Sequence, residues 1–213
     1  MARDGGSSAV ADEALLPPTA KRRIYEKIAL KIREFAGVTL DERLDPWVLA
    51  PFFKLRVIPI EDVQGLSSES RTVLLGDTTK GWSGGASRPL PDGTRLVFLN
   101  PNHSRERQAA TLMEEACHVI LDHSPSRIQA DIPIGDGSSG QSVRFRDFNE
   151  AQEEVAYAVG AATLLPYFPL KLAAEAEMTS EAIGQRFGVS RELVDYRLKV
   201  CRLWSAHRGR KRA

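Results

Sequence analysis

The stretch Thr111-Leu112-Met113-Glu114-Glu115-Ala116-Cys117-His118 sets two carboxylates and an imidazole within five residues. Glu114 and His118 are four apart, and residues four apart share a face of an α-helix, so both side chains can converge on one point. The pattern His-Glu-x-x-His uses that spacing to hold zinc, with the intervening Glu taking a proton from bound water. Carboxylate oxygens also bind zinc, at about 2.0–2.2 Å. Glu114 can therefore stand where that pattern has its first His, adding a negative charge and favouring a harder metal somewhat more. Glu115 is then the candidate general base. The competing reading is two solvated acids and an ordinary histidine, because Glu-Glu-x-x-His is a common string. Against it stands the surround of Ala110, Leu112, Met113, Ala116, Cys117, Ile120 and Leu121. A helix apolar on most sides is a buried one, and a buried carboxylate needs a partner, a proton or a metal. On the pattern alone both readings stay open.

The elements that must position these groups follow from periodicity and punctuation. The site helix is expected over His103–Leu121, with Ser104 as cap and Glu106 in the first turn. A helix from Lys21 to Ala36 would bury Ile24, Ile28, Ala29, Leu30, Ile32 and Phe35. A short helix follows over Pro46–Phe53, with Asp45 as N-cap and Pro46 at the first position. Leu55–Ile60, Thr72–Leu75 and Arg95–Asn100 are short apolar runs that read as strands, with Pro91-Asp92-Gly93 a turn before the third. They predict an α+β fold: a small antiparallel sheet packed with helices. Residues 131–142 read as a mobile loop. A second long helix runs from Asn149 to Leu165 and stops at Pro166. Thr179–Phe187, the turn Gly188-Val189-Ser190 and Arg191–Trp204 have helix-turn-helix form. The expected organisation is a disordered tail over 1–20, a core over 21–170, a helix-turn-helix-like segment over 171–204 and a basic tail over 205–213.

Composition narrows the class. With 42% apolar and 27% charged residues in 213, the chain reads as globular, able to bury a core without staples. Two cysteines, Cys117 and Cys201, make no disulfide framework and fit a reducing compartment. No window reaches the roughly eighteen apolar residues of a spanning helix, and the N-terminus has no apolar signal core. The expectation is a cytoplasmic protein with no membrane contact. From Arg186 onward nine Lys/Arg face two acids. That bias reads as a solvated, frayed end or as nonspecific electrostatic contact with nucleic acid or an acidic partner.

Asn100-Pro101-Asn102-His103-Ser104 followed by Arg107–His123 resembles the ImmA/IrrE family of zinc metallopeptidases. That family shows an Asn-Pro strand end, a Thr-Leu-x-His-Glu helix core, a second His and a trailing Leu-x-His. Gln152-Glu153-Glu154-Val155-Ala156, ending in Leu164-Leu165-Pro166, looks like the family's Glu-x-x-Ala…Leu-Leu-x-Pro element. The segment Ile183…Arg186-Phe187-Gly188-Val189-Ser190…Tyr196-Arg197-Leu198 looks like its closing helix-turn-helix. The resemblance covers about residues 25–204. It implies a zincin-like core and a zinc (or other divalent metal) site of Glu114, His118 and Glu153, with Glu115 as base. Three protein ligands would leave the fourth position that a catalytic zinc requires. Its implied substrate is a helix-turn-helix repressor, or another product of a neighbouring gene, in stress, phage-defence or mobile-element regulation. The departure is Glu114 in place of the first zinc His. A second anionic ligand donates more charge to the metal and leaves bound water less acidified, which opens the alternative of a catalytically impaired module acting through protein or DNA contacts.

Other residues rank lower. On a continuing helix His123 would lie about 140° around from His118, so it reads as a capping histidine. Cys117 reads as a buried small residue rather than a reactive thiolate. Tyr196 reads as core, or as an oxyanion donor if the last helices fold back onto the site. His207 lies in the basic tail with no visible partner. Glu192 and Asp195, near the start of the second helix of the helix-turn-helix, would repel phosphates, which favours packing or substrate docking over base reading.

Overall fold

The structure, a computed structural model, describes residues 15–63, 67–76, 82–123 and 149–209. The loop expected over 131–142 lies outside the described residues, as do residues 1–14 and 210–213 of the two expected tails. Helix α1 spans Ala20–Phe35 and buries Tyr25, Glu26, Ala29, Ile32 and Arg33. Ile24 and Phe35, expected on that stripe, are 59% and 60% exposed. The buried face is rotated because two charged residues on it, Glu26 and Arg33, find hydrogen-bond partners inside the fold. Glu26 accepts from the Tyr167 backbone N–H at 2.6 Å and from Arg197 Nη2 at 2.7 Å. Arg33 donates to the carbonyls of Thr163 (2.7 Å), Glu42 (2.6 Å) and Thr39. A buried charge is tolerable when paired and hydrogen-bonded in this way.

Helix α2 (Pro46–Leu49) starts at Asp45, whose carboxylate accepts from Trp47 N, and it continues as a 3₁₀ turn over Ala50–Phe53. Strand β1 (Leu55–Val57) follows. The expected strand over Thr72–Leu75 is instead the end of helix α3, Ser68–Leu75. A run of four residues is too short to fix a period. The deciding signal is upstream: Ser67 caps the helix by accepting from Ser70 N, and Glu69 sits in its first turn.

The sheet is mixed, not antiparallel. Its order is β1-β3-β2, with β2 at Gly84–Ala86 and β3 at Arg95–Leu99. β1 runs parallel to β3 with Leu55 opposite Arg95, and β2 runs antiparallel to β3 with Gly84 opposite Leu99. Because α3 intervenes, the chain crosses over before re-entering the sheet, and a crossover permits the parallel pair. β2 is glycine-rich and was not legible as a strand. Gly84 is needed there: a Cβ would sit 2.6 Å from Thr111 Cγ2 and 2.8 Å from Phe98 O.

Helix α4 (Arg105–Ile120), capped by Ser104, lies between β2 and β3 on one side and α5 (Glu150–Leu164) on the other. It buries Ala109, Leu112, Met113, Ala116 and Cys117, while Glu114, Glu115 and His118 are half-buried. Of the two carboxylates, Glu114 lines a cleft beside the helix. Helix α5 begins at the Asn149 cap and buries Ala156 and the run from Ala158 to Leu164. α1 packs against α5.

Pro166 ends that run, and a helix not expected from the sequence, α6 (Tyr167–Glu175), follows. Then come α7 (Ser180–Phe187) and α8 (Arg191–Val200), capped by Thr179 and Ser190, with Gly188 in the left-handed conformation at φ 66° between them. The second helix was expected to run to Trp204. It stops at Val200 because Arg202 turns left-handed at φ 60°, and Leu203 N–H closes onto Leu198 O at 2.8 Å. This is a Schellman closure. A last helix, α9 (Trp204–Gly209), carries His207, which is 5% exposed and packs beside Trp204 rather than lying in an open tail. Among the described residues no single helix is long and apolar enough to cross a membrane.

Candidate metal centre

The packing of α4 on α5 brings the ligand candidates together. At the crossing the α5 backbone comes close to α4, because Gly160 has no side chain: a Cβ there would lie 3.4 Å from Glu114 N. One potential ligand atom from each of Glu114, His118 and Glu153 lies within 4.8 Å of the others. His118 Nε2 and Glu153 Oε2 are 3.5 Å apart. Donors arranged tetrahedrally about zinc at about 2.0–2.2 Å stand roughly 3.3–3.6 Å from one another. The three side chains, half-buried and drawn from two helices, thus fit a divalent cation by number, type and approach. Glu115 is half-buried beside Glu114 on the same helix.

The end of α4 places His123 differently from the expectation. The helix does not continue. Asp122 adopts φ 51°, a left-handed conformation that costs a non-glycine residue roughly 1–2 kcal/mol and that Asp tolerates better than most. Asp122 N–H closes on Val119 O at 3.2 Å, and His123 N–H on His118 O at 2.9 Å. This Schellman closure folds the chain back, so the His123 ring meets the His118 ring edge-on. The centroids are 5.2 Å apart, and the two Nδ1 atoms are 3.3 Å apart. Burial holds His123 below the usual histidine range, against the opposing pull of Glu153.

A cleft of about 350 Å³ opens beside Glu114. Its walls include Ser83 just before β2, Arg107 on α4, Tyr157 on α5, and Glu192 and Leu193 at the start of α8. Tyr157 lies one turn beyond Glu153, so the two share a face of α5. Burial pushes its hydroxyl up to about 12, helped by Tyr196 and Glu114, so it stays protonated at neutral pH. The last helices do fold back, but of the two tyrosines it is Tyr157 that lines the cleft. Tyr196 supports its ring at 4.9 Å and accepts from Arg22 Nη1 at 3.2 Å. Sequence reading passed over Tyr157, although the i, i+4 spacing from Glu153 was available to find it. Cys117 is fully buried, and burial with the nearby Glu114 pushes its thiol far up, as suits an inert core residue.

The family model described as the IrrE N-terminal-like domain, a peptidase M78 family, matches residues 73–199. That span includes α4, α5 and both helices of the helix-turn-helix. The chain belongs to this family. No curated protein and no solved structure matches it. Membership in a metallopeptidase family agrees with the α+β core and with the carboxylate–imidazole cluster between α4 and α5.

Proposed function

We propose that this M78-family chain is a metal-dependent endopeptidase whose metal is held by Glu114, His118 and Glu153. The observation that carries the reading is the convergence of those three donors within 4.8 Å across two helices at the edge of a cleft. A divalent metal bound there, zinc before others, would supply a water acidic enough to attack a peptide carbonyl at neutral pH. Glu115, next to Glu114 on α4, would then serve as the general base that accepts a proton from the attacking water and passes it to the leaving amine. Tyr157, kept protonated, offers a hydrogen bond to the carbonyl oxygen as charge develops on it.

The proposed substrate is a protein, a helix-turn-helix repressor or the product of a neighbouring gene, as the ImmA/IrrE resemblance implies. The cleft supports a role for the helix-turn-helix in holding that substrate. Glu192 and Leu193 turn toward the cleft, whereas a base-reading helix presents its N-terminal residues to a DNA groove. Arg191 is paired with Glu181 at 3.0 Å, so its charge is partly spent within the protein. One observation favours a second reading, a catalytically impaired binding module: Glu114 gives the cluster two carboxylates and a single imidazole.

Metal analysis of protein purified without chelator, with cleavage of the neighbouring repressor by the parent and by Glu115→Gln, tests the proposal. Bound metal in both proteins is expected, with cleavage reduced on the order of 100-fold or more in the variant. Proteolysis that survives in Glu115→Gln would defeat the assigned base. A parent chain that binds no metal from pH 6 to 8 would give the binding-module reading first place.

A further inference from the structure

We propose that His123 is a positioning residue that holds His118 in the tautomer whose Nε2 lone pair is free for metal. The inference rests on the metal-centre reading above and assigns that centre a second layer. His118 presents Nε2 to Glu153 at 3.5 Å and Nδ1 to His123 Nδ1 at 3.3 Å. Two ring nitrogens at that distance share one proton: one donates and the other accepts. If His118 is to give its Nε2 lone pair to a cation, its own proton must be on Nδ1. His123 Nδ1 is then the acceptor, and His123 carries its proton on Nε2. The hydrogen bond fixes both the tautomer and the ring plane of the ligand, a task that a carboxylate or backbone carbonyl commonly performs for metal-bound histidine.

The backbone is arranged for this contact. The left-handed turn at Asp122 and the 2.9 Å bond from His123 N–H to His118 O hold the His123 backbone against the end of α4, within reach of the His118 ring. A capping histidine would only have to reach the carbonyls at the helix end. His123 instead meets the imidazole edge-on, with the interplanar angle at 71°.

The test uses the full chain, with zinc as the probe, in three forms: parent, His123→Ala and His123→Asn. The Asn side-chain oxygen can occupy the place of Nδ1 and accept the same proton. Zinc affinity is read by competition with a chromophoric chelator, and the proton on His118 Nδ1 by long-range ¹H–¹⁵N spectra of the zinc-loaded protein. The expected result is a roughly 10–100-fold weaker affinity in His123→Ala. In that variant the Nδ1 proton should exchange rapidly with water, and His123→Asn should restore affinity and protection. Far-ultraviolet circular dichroism and the thermal midpoint are compared alongside, since Ala and Asn should fold equally well. Equal zinc affinity in parent and His123→Ala overturns the role of His123 while leaving the metal centre intact, as does a slowly exchanging His118 Nδ1 proton in the Ala variant. A parent chain that binds no zinc overturns both, because no ligand is then left to position.

Discussion

Glu114 and Glu153 bring two carboxylates within 4.8 Å of each other and of one imidazole. Without a cation they repel; with one they make a more anionic ligand set than two histidines and a single acid. Replacing Glu114 with His removes the repulsion and supplies the commoner zinc donor. Glu114→His should therefore bind zinc more tightly than the parent and lose relative affinity for manganese and magnesium, which prefer oxygen ligands. Chelator competition with each metal measures both. If the substituted chain holds zinc no more tightly, the repulsion between Glu114 and Glu153 is not what sets the affinity.

Among the elements, helix ends and helix crossings decide the geometry. α4 and α8 both stop at a left-handed residue that is not glycine, Asp122 and Arg202, and each turns the next residue back onto its helix. The first closure delivers His123 to His118. The second separates α9 from α8. Within the helix-turn-helix, Gly184 sits in the middle of α7, where Ala would ordinarily gain roughly 0.5–1 kcal/mol. Here a Cβ would lie 2.7 Å from Val189 O, a backbone atom of the turn that cannot swing aside. Gly184→Ala should reverse the usual sign and destabilise by about 1–3 kcal/mol, the usual range for overpacking. For a chain of this size that lowers Tm by several degrees. A thermal melt with Tm unchanged or raised would show that the turn yields.

Across the whole molecule, a buried ion pair ties the first helix to the last helices. Glu26 and Arg197 are 0% and 2% exposed, from opposite ends of the chain. Burial alone would lower the Arg197 pKa, but the Glu26 carboxylate, with Cys201 and Tyr196 nearby, raises it above its ordinary value. Arg197 also donates through Nε to Leu165 O at 3.0 Å, and Glu26 satisfies the first N–H of α6. The pair thus joins α1, the α5–α6 corner and α8. Glu26→Ala leaves a cation buried without its partner, so a loss of about 3–5 kcal/mol is expected in urea denaturation. Replacing both residues together, Glu26→Leu with Arg197→Met, should recover only part of it, because the Tyr167 N–H and the Leu165 carbonyl then lose these partners. A single substitution that costs under about 1 kcal/mol would mean that water reaches Arg197.

The sequence by itself determined the local signals: the caps at Asp45 and Ser104, the stop at Pro166, and the i, i+4 placement of Glu114 and His118. These depend on neighbours within a turn of helix, so type and spacing carry them. The motif order was also legible, and with it the family. Tertiary structure decided what depends on partners far along the chain. Thr72–Leu75 is the exception: it is too short to show a period, and the Ser67 cap that makes it helix is a local signal five residues upstream. β2 has no side-chain signature because Gly84 must fit under Thr111. The buried face of α1 turns toward Glu26 and Arg33, whose partners include Arg197 and the Thr163 carbonyl, each more than a hundred residues away. The approach of Glu153 to His118, and the turn that brings back His123, follow from a helix crossing and a left-handed residue, neither of which leaves a period in the sequence.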